Sequence, residues 1–163
     1  MTIGQNMLAE YDHEIAQTRT MLARVPDALQ EFRPHPKSMT MMRLAAHVAR
    51  LPQWGWVTIG TTELDLATAP QDPPVKFAAD LVTELDKEAK KFRDALSTVS
   101  DADLMVPWTL KMGAQVWFTM PRIAVIRGMI INHMIHHRGQ LSVYLRLNDI
   151  PVPGMYGPSA DEQ

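Results

Sequence analysis

Apolar residues recur every three or four positions along four long stretches of the chain, which is the spacing of an amphipathic helix. The first stretch covers about residues 5–25 and ends at Pro26. The second begins after Ser38 or Thr40, either of which can accept a hydrogen bond from the free backbone amides of the first turn. Pro52 lies inside this second stretch and predicts a kink, because proline removes one backbone donor and clashes with the preceding turn.

The second half of the chain predicts two more helices with an extended segment between them. A third helix covers about residues 76–98, after a loop-like segment at 61–75 that contains three prolines. Residues 100–120 carry aromatic and β-branched side chains around Gly113, which favours a short hairpin or extended excursion. A fourth helix covers about residues 120–147. We therefore predict an all-α fold, an antiparallel four-helix bundle with a short extended or hairpin excursion between helices 3 and 4.

Length and composition narrow the class of protein. The 163 residues fit one domain and show no internal repeat, so we expect a single domain over residues 1–163.

Sixteen Lys and Arg oppose eighteen Asp and Glu, and this net charge of −2 provides no basic face, so we expect no nucleic-acid partner. No uncharged apolar run reaches about 18 residues and no signal peptide is visible, so we expect no membrane partner and a cytoplasmic location. Cysteine is absent, which leaves nitrogen and oxygen donors for any metal ion.

Three of the six histidines lie on apolar faces of two predicted helices. His133 and His137 stand four residues apart, so on a helix they lie one turn apart on the same face. Two imidazoles at this spacing can bind one ion at about 2.0–2.1 Å. His47 lies on the inward face of the second helix, between apolar neighbours. On spacing alone two interpretations stay open, a shared metal ion and ordinary packing of histidines in the core.

The other histidines do not join this set. His136 points about 100° away from His137 around a helix, and we expect it at an interface or in solvent. We expect His13 and His35 at the surface. Glu10 and His13 match the Glu-x-x-His spacing of di-iron bundles, but such sites need a second pair. No second pair exists in the sequence, so we reject a di-iron site.

Three blocks of sequence follow the pattern of one protein family. They are NHMIHHRGQL at 132–141 with PVP at 151–153 and YGPSADE at 156–162, LAAHVA at 44–49 with Pro52 and Trp54, and WTL at 108–110 with FTMPR at 118–122. In these blocks the chain resembles the DinB family over nearly its whole length. The C-terminal block is the most specific of the three.

The resemblance implies a four-helix bundle, a homodimer, and one divalent metal ion on His47, His133 and His137. Zinc or nickel is the expected ion, with iron, cobalt or manganese as alternatives. Related members are thiol-dependent enzymes that use bacillithiol, mycothiol or glutathione in S-transfer or isomerisation, while many other members have no assigned activity. We therefore expect a small-molecule substrate, in particular a low-molecular-weight thiol.

Three neutral imidazole ligands leave the charge of an ion uncompensated and one coordination position open, which is typical of catalytic zinc. Such an ion lowers the pKa of a bound thiol or water towards neutrality. We therefore predict a metal-dependent enzyme that activates a thiol or water. The alternative is a non-catalytic metal-binding or stress-related protein whose ion is structural or sensory.

The sequence assigns no catalytic residue, but four side chains near the histidines are candidates for substrate contact. Gln140 and Tyr144 fall close to the face of the last helix that carries the histidines, and helix packing is the equal alternative for both. Trp54 and Trp56 could form a wall of a pocket beside the second helix, with packing in the core or at a dimer interface as the favoured interpretation.

Overall fold

A computed structural model describes residues 1–162 as a set of helices with one small sheet. The α-helices are α1 (Ile3–Leu22), α2 (Met41–Gly60), α3 (Ala78–Thr98), α4 (Asp101–Leu104), α5 (Arg122–Val125) and α6 (Asn132–Arg146). The β-strands are β1 (Glu63–Asp65), β2 (Pro107–Met112) and β3 (Gln115–Pro121). A π-helical segment at Ile126–Ile131 and two 3-10 turns, at Asp27–Leu29 and Ala160–Glu162, complete the described elements. None of these helices has a long enough apolar stretch to cross a membrane.

Threonine side chains fix the starts of the first two long helices. The Thr2 hydroxyl accepts from the amide of Gln5 at 3.2 Å, while the Gln5 side chain accepts from the Thr2 amide at 3.1 Å, which completes a capping box. The Thr40 hydroxyl accepts from the amide of Arg43 at 3.3 Å. Thr40 rather than Ser38 therefore caps α2, the helix that carries the first candidate histidine.

The last predicted helix is one uninterrupted helical run at 122–146 that contains α5, the π-helical segment and α6. Within the π-helical segment the backbone bonds span five residues, as in the bond from the amide of Asn132 to the carbonyl of Arg127. The apolar spacing of the sequence does not indicate this segment. π turns often occur at functional sites, and this one ends two residues before His133.

The all-α prediction is wrong, because a three-stranded mixed sheet accompanies the helices. β2 and β3 form an antiparallel hairpin, with Gly113 at a φ of 57° in its turn, where the excursion is predicted. β1 pairs in parallel with β2, with Glu63 opposite Thr109. This strand lies in the segment predicted as a loop. Its three residues are too few for an alternating pattern, and it exists because a distant strand supplies its hydrogen bonds.

The long helices pack so that α3 contacts α1 and α2, while α6 contacts α2 and α1. One cluster of buried apolar side chains includes Leu44 of α2 and Leu141 of α6. A second cluster includes Phe92 of α3, Trp108 of β2 and Ile130 of the π-helical segment. These clusters fix the position of α6 against α2, where the candidate histidines lie.

Candidate metal centre

Three histidine side chains from two helices meet where α2 contacts α6. One ring nitrogen from each of His47, His133 and His137 lies within 4.8 Å of the other two. The Nε2 atom of His133 is 3.4 Å from Nε2 of His47 and 2.7 Å from Nε2 of His137. Each of the three residues is half-buried. The structure thus brings together the three rings that the sequence singles out.

The other ring nitrogens determine where the protons lie. Nδ1 of His133 is 3.2 Å from the carbonyl oxygen of Met129, and Nδ1 of His137 is 2.7 Å from Oε1 of Gln140. Both oxygens are acceptors, so a neutral ring at either position donates its N–H from Nδ1 and keeps an unprotonated Nε2. Two lone pairs then face each other across 2.7 Å. This arrangement needs a positive charge between the rings, which a proton or a metal ion can provide.

The spacing and the donor chemistry fit a divalent metal ion. Two nitrogens that bind a tetrahedral ion at 2.0–2.1 Å lie about 3.3 Å apart. The distance of 3.4 Å between His47 and His133 matches this value, whereas the 2.7 Å between His133 and His137 is shorter and requires a small rotation of one ring. Imidazole ligands suit zinc, nickel, copper and iron, while magnesium and calcium prefer oxygen. Three protein ligands leave a tetrahedral ion one open position.

Burial keeps two of these rings neutral. Burial lowers the pKa of His47 from 6.5 to about 4, with further lowering by the charges of His137, His133 and Arg43. Burial also lowers the pKa of His137, against the opposing effect of the hydrogen bond to Gln140. At neutral pH the lone pairs of these two rings are therefore available to a metal ion.

The histidines lie at the edge of the core, although the sequence places them on apolar faces of their helices. The buried side of α6 includes Met134, Arg138 and Leu141, whereas His133 and His137 are half-buried. The buried face of α6 therefore includes Met134 and Arg138, each one residue after a candidate histidine, and one of these two residues is charged. A charged residue in the core cannot be anticipated from apolar spacing. The edge position gives small molecules access to the three rings.

Two cavities border the histidine triad, and each contains one of its rings. The larger cavity has a volume of about 530 Å³ and is lined by α2 residues, including His47, and by parts of the loop at 71–75. The smaller cavity has a volume of about 400 Å³ and is lined by His137, Gln140 and neighbouring residues of α6, and by residues 37–39. The two cavities share no lining residue. The triad therefore borders two separate spaces for small molecules.

The other predicted neighbours of the histidines divide between cavity walls and helix packing. Trp54 lines the larger cavity, whereas the indole N–H of Trp56 donates to Glu88 of α3 at 2.7 Å. Tyr144 lines the smaller cavity, and its hydroxyl donates to the carbonyl of Met39 at 3.0 Å. Trp54 and Tyr144 are thus in position to contact a ligand, while Trp56 ties α2 to α3.

A buried ion pair involves the residue that follows His137. Arg138 donates to the Glu14 carboxylate at 2.7 Å, with the two side chains only 2% and 6% exposed. The Arg138 guanidinium also donates to the Thr18 hydroxyl at 3.1 Å and to the Tyr156 hydroxyl at 2.8 Å. The Tyr156 hydroxyl in turn donates to Glu14 at 2.9 Å. This cluster fixes α6 against α1 and the C-terminal tail at the residue that follows His137.

A helical fold that brings three histidines together defines a class of protein that could bind a metal ion. The DinB family matches the chain over residues 1–163, and the chain belongs to this family. The match confirms the resemblance drawn from the three blocks of sequence.

Relatives match nearly the whole chain, and the solved structures among them support the fold. The Uncharacterized protein YrdA of Bacillus subtilis (strain 168) is 28% identical over 159 residues, which are 96% of this chain and 90% of YrdA. A crystal structure of a DinB-like protein from Bacillus cereus ATCC 10987 has a TM-score of 0.70 and 24% identity, over 93% of this chain and 97% of that chain. The DinB-like protein YjoA from Bacillus subtilis has a TM-score of 0.71 and 15% identity, over 97% of this chain and 99% of that chain. At these identities the two solved structures support the fold alone.

Proposed function

We propose that His47, His133 and His137 hold one divalent metal ion and that the protein is a metal-dependent enzyme acting on a small-molecule thiol. The observation that carries the proposal is the convergence of two Nε2 atoms 2.7 Å apart, with a third ring nitrogen within 4.8 Å. Three ring nitrogens that converge on one point in a half-buried site need a shared partner, and a divalent ion can serve all three at once.

The chain's own residues orient the donors and shape the surroundings. When bound, a divalent ion supplies a positive charge that lowers the pKa of a thiol or water at its open position. The carbonyl of Met129 and the amide oxygen of Gln140 hold two rings with their lone pairs turned inward. Leu51 and Trp54 add an apolar wall to the cavity beside His47, which limits water there.

Two observations favour a thiol over water as the nucleophile. The triad borders two separate cavities, and the transfer of a thiol to an acceptor needs room for two organic molecules. Hydrolysis needs a general base near the bound water, and the ligand cluster found within residues 1–162 consists of three histidines, with the carboxylates of Glu31 and Asp72 only in the lining of the adjoining cavity. The chain has no cysteine, so the thiol comes from a second molecule.

A structural or sensory ion is the alternative, because one ligand comes from α2 and two come from α6, so an ion would tie these helices together. Removal of a structural ion takes several kcal/mol of stability with it. We expect removal of the ion to leave the free energy of unfolding nearly unchanged, since buried apolar clusters already join α2 to α6. Urea unfolding with and without a chelator measures this difference.

Elemental analysis of protein purified without a histidine tag tests the metal site. We expect about one ion per chain in the wild type and far less in His133→Ala, which removes the ring shared by both short contacts. His136→Ala is the matched control, because His136 is exposed on the same helix and lies outside the triad. Equal metal content in all three proteins would contradict the site.

Steady-state assays test the enzymatic part of the proposal. Metal-loaded protein is incubated with bacillithiol, mycothiol or glutathione and an electrophilic acceptor, and loss of free thiol is followed. We expect a rate that depends on the ion with at least one thiol and that disappears in His133→Ala but not in His136→Ala. Full metal occupancy without thiol consumption would favour the structural or sensory alternative.

A further inference from the structure

We propose that the larger cavity, beside His47, binds a monoanionic organic ligand whose carboxylate pairs with Arg43 and whose apolar part contacts Trp54. The ligand's role as a substrate rests on the proposed function, but its binding can be measured without a metal ion.

One face of α2 lines this cavity. Arg43, His47, Arg50 and Trp54 are separated by four, three and four residues, so they lie along one side of the helix, and all four line the cavity. A ligand along this face therefore extends from the Arg43 guanidinium, past the His47 ring, to the Trp54 indole.

The two arginines differ in whether their guanidinium groups already have hydrogen-bond partners. Arg50 donates to the carbonyl of Pro73 at 2.7 Å and to Glu84 at 3.4 Å, so it holds the loop at 71–75 against α2. The guanidinium of Arg43 takes part in none of the ion pairs or side-chain hydrogen bonds found within residues 1–162. A free guanidinium beside a cavity matches a carboxylate, which it can bind through two parallel hydrogen bonds.

The remaining charges disfavour an anion with two negative charges more than an anion with one. Glu31 and Asp72 also line the cavity, and both are exposed carboxylates. They repel a phosphate dianion more strongly than a carboxylate, and Arg43 alone offsets one charge. The cavity therefore has room for a carboxylate but weak attraction for phosphate.

The rest of the lining suits an apolar body of moderate size. Met42, Leu51, Trp54 and Val75 give the cavity an apolar wall, and its volume is about 530 Å³. This volume lies in the range of about 300–1,000 Å³ that small-molecule sites occupy. An arylalkyl carboxylate fits both the charged and the apolar part of the lining.

The probe for the experiment is 3-phenylpropionate, with 3-phenylpropionamide as its neutral counterpart and inorganic phosphate as the second anion. Protein stripped of metal and then dialysed free of chelator is titrated, so that the carboxylate has no ion to bind. Binding is followed by the indole N–H signal of Trp54, which Trp54→Phe identifies. We expect the carboxylate to bind more tightly than the amide and than phosphate.

Arg43→Gln should weaken binding of 3-phenylpropionate by about tenfold. Arg33→Gln is the matched control, because it removes the same charge from an exposed residue that does not line the cavity. Equal effects of the two substitutions, equal binding of the amide, or tighter binding of phosphate would each overturn the proposal.

Metal content separates this inference from the proposed function. Arg43→Gln should keep the metal content of the wild type, since Arg43 is not part of the triad. Loss of metal in Arg43→Gln would mean that Arg43 supports the metal site rather than binding the ligand, and this would overturn the inference. If the wild type binds no metal but still binds 3-phenylpropionate in an Arg43-dependent way, the proposed function fails and this inference stands.

Discussion

Two hydrogen bonds to Nδ1 atoms set the chemistry of the triad at the scale of single residues. The carbonyl of Met129 and the side chain of Gln140 each accept one proton, and this leaves Nε2 of His133 and of His137 as lone-pair donors. Of these two acceptors only Gln140 is a side chain. It can therefore be changed without altering the ligands themselves.

Gln140→Leu should weaken metal binding by about tenfold or more, because outer partners of a ligand imidazole fix its tautomer and orientation. Competition with a chromophoric chelator measures the dissociation constant of the metal. Gln140→Glu should keep affinity at or above that of the wild type, since its carboxylate still accepts the proton of His137. Wild-type affinity in Gln140→Leu would show that this hydrogen bond does not orient the ring.

Part of the site could be predicted at this scale and part could not. The four-residue spacing of His133 and His137 is visible in the sequence because it equals about one helical turn. The role of Met129 was not predictable, since its contribution is a backbone carbonyl. The burial of Arg138 could not be predicted from the sequence either, because its acceptor on Glu14 lies 124 residues away.

At the scale of elements, close packing of α2 on α3 depends on one glycine. A Cβ atom added to Gly55 would lie 2.5 Å from ring carbons of Phe92, which is fully buried. The ring of Phe92 also packs edge-on against Tyr11 of α1 at 4.9 Å, so it has little freedom to move away. The glycine thus permits the helix contact that positions α2, the helix of His47.

Gly55→Ala should destabilise the protein by about 1–3 kcal/mol, because overpacking at Phe92 outweighs the gain in helix propensity. Urea unfolding followed by circular dichroism measures the change. Gly60→Ala is the matched control at the end of the same helix, where an added Cβ meets nothing within 4 Å. We expect Gly60→Ala to be neutral or slightly stabilising, and similar losses in both variants would contradict the packing argument.

The long helices could be predicted from the sequence because their apolar spacing is regular over many turns. The helices α1, α2 and α3 begin and end within a few residues of their predicted limits. The strand β1 and the π-helical segment were missed. β1 has three residues and depends on its pairing with β2, and a π turn leaves no signature in the apolar pattern.

At the scale of the whole molecule, charged side chains join parts of the chain that are far apart in sequence. The buried pair of Glu14 and Arg138 links α1 to α6, and Tyr156 adds the C-terminal tail. The exposed pair of Arg146 and Asp161 holds the same tail to the end of α6 at 2.6 Å. The two arginines lie on one helix but differ strongly in burial, which allows a direct comparison.

Arg138→Met should lower the free energy of unfolding by about 3–5 kcal/mol, because it leaves the Glu14 carboxylate buried without its partner. Arg146→Met, the same substitution in an exposed pair, should have a much smaller effect, because solvent screens the two charges. Chemical denaturation at neutral pH measures both values. Adding Glu14→Gln to Arg138→Met should recover much of the loss, and a failure to recover it would contradict an unpaired charge as the cause.

The predicted homodimer and the predicted cytoplasmic location stay predictions. Gel filtration with light scattering measures the mass in solution, and a mass near twice 18.4 kDa would confirm the dimer.

The π-helical segment ahead of His133 has a consequence for aligning this chain with its relatives. A bond from residue i to i+5 encloses one more residue than an ordinary α-helical bond, so the segment behaves as a local insertion. A relative with a plain α-helix at this place would be one residue shorter between its hairpin and its histidines. A gapless alignment would then rotate every upstream position of that helix by about 100° and pair buried residues with exposed ones.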